Sequence, residues 1–461
     1  MNLADFVVQH QNDDISDLVL HRDRYPDVDA ALAAECIAAR RKLRYKVPEW
    51  YADPELICPV ALSAEQCSST ATARYKAAVA EGVCRLPLNA IREEQRARPC
   101  PVKGPRSGHC SSASLQPALP TSLRIADLTG GLGVDCWQFS LIADRVLYNE
   151  MNPLLLEAAR ANLLRLGCRN VEFSGLCITP ESLPSLLDSF RPDLVFADPA
   201  RRSEGRKVFL PEDCSPDVLA LQDIVLDRGC RMMLKLSPMA DISLMLNKFH
   251  CVKSVYVVEA EGECKELLLL MVPGFDGEAD VVVACHTSDT VPVFNDSLRF
   301  RKSEEKAAVP KYISEAPVPG QILFEPGPAL SKSGAFNLLS ARFGLRKLGP
   351  STHLYCIDTF DSVTADSVTA HKAGAMKELA GYGKCFEIQE VATFGKQSLR
   401  DFASHWPGAE VTARALPLSS DELRLKMASP GKKAPRSSDS HLFGVGTSIG
   451  RLLLAAHKIR L

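Results

Sequence analysis

Residues 123–136 read Leu-Arg-Ile-Ala-Asp-Leu-Thr-Gly-Gly-Leu-Gly-Val-Asp-Cys, and few backbone arrangements satisfy such a stretch. Leu123, Ile125, Ala126 and Leu128 form a short apolar run suited to a strand buried in a parallel sheet. Asp127 stands near its end. Gly130, Gly131 and Gly133 then allow a tight turn and a close backbone approach to a ligand, with no Cβ in the way. Residues 135–143 can continue as a helix whose free N–H groups face the same point. Strand, glycine turn and helix together predict an α/β sheet with a ligand cradle at its edge.

The neighbouring strand narrows the ligand. Residues 145–150, Arg-Val-Leu-Tyr-Asn-Glu, end in an acid about 20 residues beyond the turn, where a carboxylate accepts hydrogen bonds from ribose hydroxyls. The turn Thr129-Gly-Gly-Leu-Gly133 does not match the G-x-G-x-x-G of dinucleotide sites. Asp127, before the turn, is placed to hold an ammonium group. An acid on each side of the turn fits S-adenosyl-L-methionine (SAM), which carries an amino-acid end and a ribose. NAD or FAD, or a turn with a purely structural role, are the alternatives. The expected cofactor contacts are Asp127, Thr129, Gly130, Gly131, Gly133, Asp135, Glu150, Met151, Cys177 and Asp198. Cys177 is included because Gly175-Leu-Cys177 follows the third strand, where many SAM enzymes place an acid near adenine.

Length and composition set outer bounds. With 461 residues and 46% hydrophobic content, the chain can form two to four domains with sizeable cores. A net charge of −2 advertises no polyanion partner globally. The start has no basic segment followed by an apolar core, and no apolar run approaches membrane-spanning length, so a cytoplasmic location without a membrane partner is expected. None of the 16 cysteines forms C-x-x-C or pairs with His at zinc spacing, so no metal is expected.

Residues 1–84 read as a helical region. The helix expected over 28–43 leads into Arg40, Arg41, Lys42, Arg44 and Lys46, which either complement the helix dipole or contact nucleic acid. Ser63 and Gln66 have capping-box spacing, predicting a helix start at Ser63. Residues 85–122, rich in Pro, Ser, Gly and Arg, read as a flexible linker or insertion. From residue 123, strands at 123–128, 145–149, 171–174, 194–197 and 231–236 alternate with helices at 135–143, 153–167, 216–228 and 241–249. Strands at 254–258 and 267–272 are too tightly joined for a parallel crossover and must form a hairpin. Five parallel strands plus a hairpin give the seven-stranded, Rossmann-like sheet of class I methyltransferases over 123–273.

Ligands bind beyond the carboxyl ends of such strands. That edge gathers the glycine turn, Glu150, Asp198-Pro-Ala-Arg-Arg202 and Lys235-Leu-Ser-Pro238. The hairpin loop 259–266 is expected there too, bringing Glu263, Cys264 and Lys265 near Asp198. Asp198 can orient an amino or hydroxyl nucleophile towards a methyl group. Pro199 fixes the turn, while Arg201 occupies the slot where base-amino methyltransferases stack an aromatic. A guanidinium there can stack on a base or fork a phosphate; alternatively Arg201 and Arg202 pair with acids such as Glu204. Asp198, Pro199, Arg201 and Lys235 are the catalytic candidates. Cys264 beside Lys265 opens a second route, thiolate addition to a pyrimidine, against an ordinary cysteine.

Beyond residue 273 the pattern shifts. Strands at 281–285, 321–324 and 353–356, with helices at 333–343 and 371–379, predict a ferredoxin-like α+β domain over 274–384. A last unit, 385–461, has strands near 386–390, 410–415 and 451–457 and a helix at 420–427. It carries eleven Lys and Arg against seven Asp and Glu, compatible with holding RNA or with a structural or dimerising role.

Asp127-Leu-Thr-Gly-Gly-Leu-Gly-Val-Asp135, Asp198-Pro-Ala-Arg-Arg202, Lys235-Leu-Ser-Pro238 and Glu263-Cys-Lys-Glu-Leu-Leu268 together resemble a bacterial family typical of Bacteroidetes. These are class I SAM-dependent methyltransferases with a C-terminal THUMP-like domain, named by similarity. Glu65-Gln-Cys-Ser-Ser69 with Thr72-Ala-Arg-Tyr-Lys76 looks like the family's N-terminal helical signature, and Phe324-Glu-Pro326 and residues 418–425 resemble its ferredoxin-like and THUMP-like units. Residues 85–122 are absent from the usual pattern. The resemblance implies SAM binding and, through the THUMP-like unit, an RNA substrate such as tRNA or rRNA. It does not identify the methylated atom. A methyltransferase for a small molecule or protein, and a non-catalytic RNA-binding protein, are the competing readings.

Overall fold

The computed structural model describes residues 2–85, 122–201, 211–286, 294–295, 298–357, 377–427 and 437–459. Most of the expected linker, together with Arg202, Glu204 and most of the expected helix 371–379, lies outside them. The chain divides into two compact units, Met1–Tyr256 with Glu266–Ala279, and Val257–Lys265 with Asp280–Leu461.

The first unit is built on β1 (Arg124–Asp127), β2 (Arg145–Asn149), β3 (Val171–Ser174), β4 (Leu194–Ala197) and β5 (Arg231–Leu236), with β6 (Val252–Ala260) up to Tyr256 and β7 (Glu263–Met271) from Glu266 onwards. They run in the order β3-β2-β1-β4-β5-β7-β6 within a ten-stranded sheet. The first five are mutually parallel, and β7 is antiparallel to β5. This is the class I methyltransferase sheet. Its central strands are buried on both faces: Ile125, Val146, Leu194, Val195, Phe196 and Met233 have no exposed surface. A strand covered on two sides must be apolar throughout, which is why β1, β2, β4 and β5 read so plainly. β6 and β7 extend beyond the expected hairpin strands. Only Glu261 and Gly262 remain as a turn, with φ of 57° and 73°, a two-residue connection that suits the right-handed twist of a hairpin. The expected loop 259–266 is therefore strand for most of its length.

The N-terminal helices pack on the glycine turn itself. Leu43, Trp50, Ala64 and Ala73 share one apolar cluster with Leu132 and Val134, and Trp50 meets Trp137 with ring centroids 6.0 Å apart. The helix start predicted at Ser63 is wrong. Ser63 lies inside the helix Ala61–Gln66, and the next helix, Thr70–Cys84, is capped by Ser69, whose side chain accepts from the Thr72 N–H. The basic cluster in the helix Ala30–Lys46 is bound up in tertiary contacts. Arg40 is buried and donates to the carbonyls of Tyr51 and Asp53, Arg41 to those of Gln11 and Asp13, and Lys46 to those of Glu65 and Cys67.

The second unit carries an eight-stranded sheet. Its longest strands are Gly383–Thr393, Gly450–Lys458 and Ser437–Thr447, and Ile322–Pro326 pairs with the first of these. Leu323, Phe386, Phe443 and Leu454 form its core. The helix expected over 333–343 starts three residues later, as Phe336–Phe343, and a separate helix, Pro328–Ser333, precedes it and ends at Gly334 in the left-handed conformation. Among the described residues, no helix is long and apolar enough to cross a membrane.

Candidate active site

The glycine turn follows β1 as the residues demand. The Gly130 N–H donates to the Asn149 carbonyl at 2.7 Å, and a Cβ at Gly130 would fall 2.2 Å from the Tyr148 ring. Gly131 and Gly133 have φ of 54° and 95°, conformations that L side chains rarely adopt. The Tyr148 hydroxyl donates to the Gly131 carbonyl at 2.6 Å. Glu150, at the end of β2, accepts from the Gly131 N–H (2.9 Å) and the Asn152 N–H (2.8 Å), so turn and acid are fixed to each other. Thr129 ties the turn to β4: its hydroxyl accepts from the Asp198 N–H at 2.6 Å.

Asp127 is buried. One carboxylate oxygen accepts from the Thr129 N–H at 3.1 Å; the other, Oδ2, has no partner. Burial pushes its carboxyl well above the ordinary range, and Asp135, Asp198 and Glu150 add to the effect against the opposing Thr129 hydrogen bond. A buried acid with an open oxygen is costly, and a strongly perturbed buried acid is a candidate functional group.

Asp198 ends β4 and pairs with Lys235 of β5, Nζ to Oδ2, at 2.5 Å. Burial alone would lower the pKa of the lysine. Asp198, Glu266 and Asp135 outweigh that effect, and the Lys235 pKa is raised. Pro199 and Ala200 follow, and the backbone of Ala200–Arg201 pairs with Cys214–Ser215.

A second charged group underlies this edge. Lys76, on the helix Thr70–Cys84, is fully buried. Its ammonium donates to both Glu266 carboxylate oxygens at 3.0 Å and to the Ser68 hydroxyl at 2.7 Å, and lies 3.1 Å from Asp135 Oδ1. The Ser68 hydroxyl donates to Asp135 Oδ2 at 2.8 Å. Glu266 follows from the register in which Lys235 faces Leu268 and Leu236 faces Leu267. Burial raises its pKa, and Lys76 and Lys235 hold it down.

The first unit thus brings together Asp127, Thr129, Gly130, Gly131, Gly133, Asp135, Glu150, Asp198, Pro199 and Lys235. Asp135 is committed to Lys76 and Ser68. Met151 is exposed beside Glu150. Cys177 is exposed after β3, in a loop clipped by Asn149, whose amide bonds the Leu128 and Leu176 carbonyls and the Leu176 N–H. Glu263, Cys264 and Lys265 belong to the second unit, where Lys265 pairs with Glu261 and Glu263 at 3.0 Å. Sequence reasoning missed Lys76, Ser68, Glu266 and Asn149. Among the described residues, no cluster of three His, Cys, Asp or Glu is arranged to hold a metal ion.

A family model described as a ferredoxin-like domain matches residues 323–362. No curated protein matches the chain. Among solved structures, a candidate methyltransferase from Porphyromonas gingivalis W83 matches at 26% identity with a TM-score of 0.74, over 99% of this chain and 98% of its own. A candidate methyltransferase from Streptococcus mutans, in complex with SAH, matches 32% of this chain and 86% of its own at 14% identity and a TM-score of 0.24. An rRNA methylase from Streptococcus thermophilus matches 33% and 87% at 15% identity and 0.24. The end-to-end likeness to the Porphyromonas protein, from a member of the Bacteroidetes, bears out the resemblance read from the motifs.

Proposed function

We propose that this chain is a SAM-dependent methyltransferase whose substrate is RNA. The observation that carries the cofactor is the open, buried oxygen of Asp127 beneath the glycine turn, with Glu150 fixed beside it. When bound, SAM supplies an electrophilic methyl group on a sulfonium. Asp127 would hold the ammonium end, Glu150 the ribose hydroxyls, and the backbone of Gly130–Gly133 would face the cofactor with no side chain intervening. Five acids (Asp127, Asp135, Glu150, Asp198 and Glu266) stand against two lysines (Lys76 and Lys235) at this edge, a balance that favours a cationic ligand over a neutral one. Asp198, paired with Lys235, orients the acceptor. The basic surplus of 385–461, eleven to seven, supports RNA as that acceptor.

The raised pKa of Asp127 predicts a pH dependence. A cation bound beside it lowers the pKa, so binding releases a proton and SAM affinity falls as pH drops through the raised value. Calorimetry in buffers of different ionisation enthalpy measures that proton. For stability the sign is opposite to that of an ordinary paired acid. The folded pKa lies above the unfolded one, so ionisation destabilises the fold as pH rises from the ordinary carboxylate range through the raised value. Asp127→Asn is therefore expected to weaken SAM binding strongly while leaving the fold at least as stable at neutral pH. Unchanged affinity in that variant would overturn the assignment.

The substrate is tested by nucleoside mass spectrometry on RNA from cells with and without the gene. A methylated nucleoside is expected to disappear on deletion and return with the wild-type gene. RNA affinity should fall steeply with salt, because bound phosphates release counterions. Intact nucleosides and no RNA binding at low salt would point instead to a small-molecule or protein substrate.

A further inference from the structure

The second unit has an open cavity of about 290 Å³, lined by none of the residues gathered at the glycine turn. Its volume sits at the lower limit of small-ligand pockets, roughly 300–1,000 Å³. Glu325, at the end of the strand Ile322–Pro326, and Arg414, at the end of Ala409–Arg414, line it together. Their ion pair is 3.0 Å, Nη2 to Oε1. The carboxylate side chain is 15% exposed and the guanidinium side chain 49%, so one is set into the wall and the other reaches out of it. On the same lining, His353 stacks on Phe336 with ring centroids 3.7 Å apart and 21° between planes. Burial, aided by Lys347 and Arg414, lowers the His353 pKa, which leaves a flat, uncharged ring at neutral pH. Its buried Nδ1 has no partner.

The backbone marks the cavity independently. Five described non-glycine residues have positive φ, and two of them, His353 at 49° and Ala415 at 51°, line it. Strained conformations of this kind persist where the surroundings over-determine them and cluster at ligand sites.

We propose that this cavity binds a guanine base. Guanine presents two N–H donors on its Watson–Crick edge and two acceptors, O6 and N7, beside them. A carboxylate next to a guanidinium matches both sets in one plane, and the His353–Phe336 stack offers a surface for the ring. Adenine turns its N1 acceptor towards the carboxylate, and pyrimidines lack the second acceptor that guanidinium takes. A zwitterionic amino acid would satisfy the charges but leave the stack unused. The guanine can come from a free nucleotide or from an unpaired position in RNA; the chemistry is shared, and it stands whether or not the first unit transfers methyl groups.

The test is calorimetric titration of the intact chain with GMP, AMP, glycine and unstructured oligouridylates carrying one central G or A. GMP is expected to bind at least about tenfold more tightly than AMP, the scale of one good bidentate contact. Arg414→Ala and Glu325→Gln should each abolish that preference. His353→Gly relieves the positive φ and removes the stack, so guanine affinity should drop without a fall in melting temperature. That variant keeps the test sound should the other two fold poorly. A G-containing oligouridylate that binds more tightly than GMP and is competed by it identifies RNA as the source, and GMP binding without oligonucleotide binding identifies a free nucleotide. Equal affinity for GMP and AMP, binding of glycine in place of GMP, or no binding at millimolar GMP overturns the proposal.

Discussion

Replacing Lys76 with methionine is expected to destabilise the first unit by about 3–5 kcal/mol, the usual penalty for removing one partner of a buried ion pair. The size follows from what the ammonium leaves behind. Glu266 is 2% exposed and Asp135 9%, so neither carboxylate can recover its hydration. Ser68 loses its donor as well. A methionine fills most of the volume, so the penalty is electrostatic rather than a cavity. The double variant Lys76→Met, Glu266→Leu should recover much of the loss, because removing both charges avoids leaving one stranded. Denaturant unfolding followed by the fluorescence of Trp50 and Trp137, in a Trp406→Phe background, reports on the first unit alone. A single variant as stable as its parent would mean that Lys235 takes over both carboxylates, and that the N-terminal helix is not anchored to the sheet edge through charge.

The sheet and the network beneath its edge differ in how far the sequence reveals them. β2, β3, β4 and β5 match their expected bounds, and β1 differs by one residue at each end. β1, β2, β4 and β5 are short, mostly apolar runs closed by glycine, acid or proline, and burial on both faces leaves such runs no alternative; β3 is an edge strand with Glu172 exposed. Pro153 and Gly167 mark the helix Pro153–Arg165 in the same local way: Pro153 opens its first turn, and Gly167 has φ of 85° just past its end. Lys76 and Glu266 lie 190 residues apart in sequence. A lysine on a helix face is ordinarily solvated, so nothing local to Thr70–Cys84 announces a buried ammonium. The one available signal was the likeness of 72–76 to a family signature. Ser63 misled for the opposite reason: its spacing to Gln66 suits a cap, yet Ser69 stands at the start of the longer helix and takes that role. At the hairpin turn Gly262 accepts positive φ but Glu261 does not favour it, so the pair carries only half of the usual two-residue turn signal.

Asp198→Ala is expected to lower methyl transfer by about 100- to 10,000-fold, the range for removing a positioned acid or base, while SAM affinity stays within about twofold. Asp198 meets the glycine turn through its backbone, by the N–H that donates to Thr129, and alanine keeps that bond. The side chain does something else. It is half-buried, paired to Lys235 at 2.5 Å, and ends the strand beside the glycine turn. Its contribution is to accept a hydrogen bond from the acceptor and align the lone pair, with Lys235 fixing the carboxylate in place. Asp198→Asn separates the two properties. The amide keeps an acceptor oxygen but gives up the ion pair, so transfer should fall less than in the alanine variant and Lys235 should become more reactive towards amine reagents. The rival chemistry passes through Cys264. Cys264→Ser is expected to retain transfer, since Cys264 sits on the second unit's portion of the hairpin with Lys265 already engaged by Glu261 and Glu263. Transfer to total RNA from a strain lacking the gene, measured beside SAM titration for each variant, decides between them. An active Asp198→Ala enzyme, or an inactive Cys264→Ser enzyme with normal SAM affinity, would move the chemistry from an oriented lone pair to a covalent thiolate adduct on a pyrimidine.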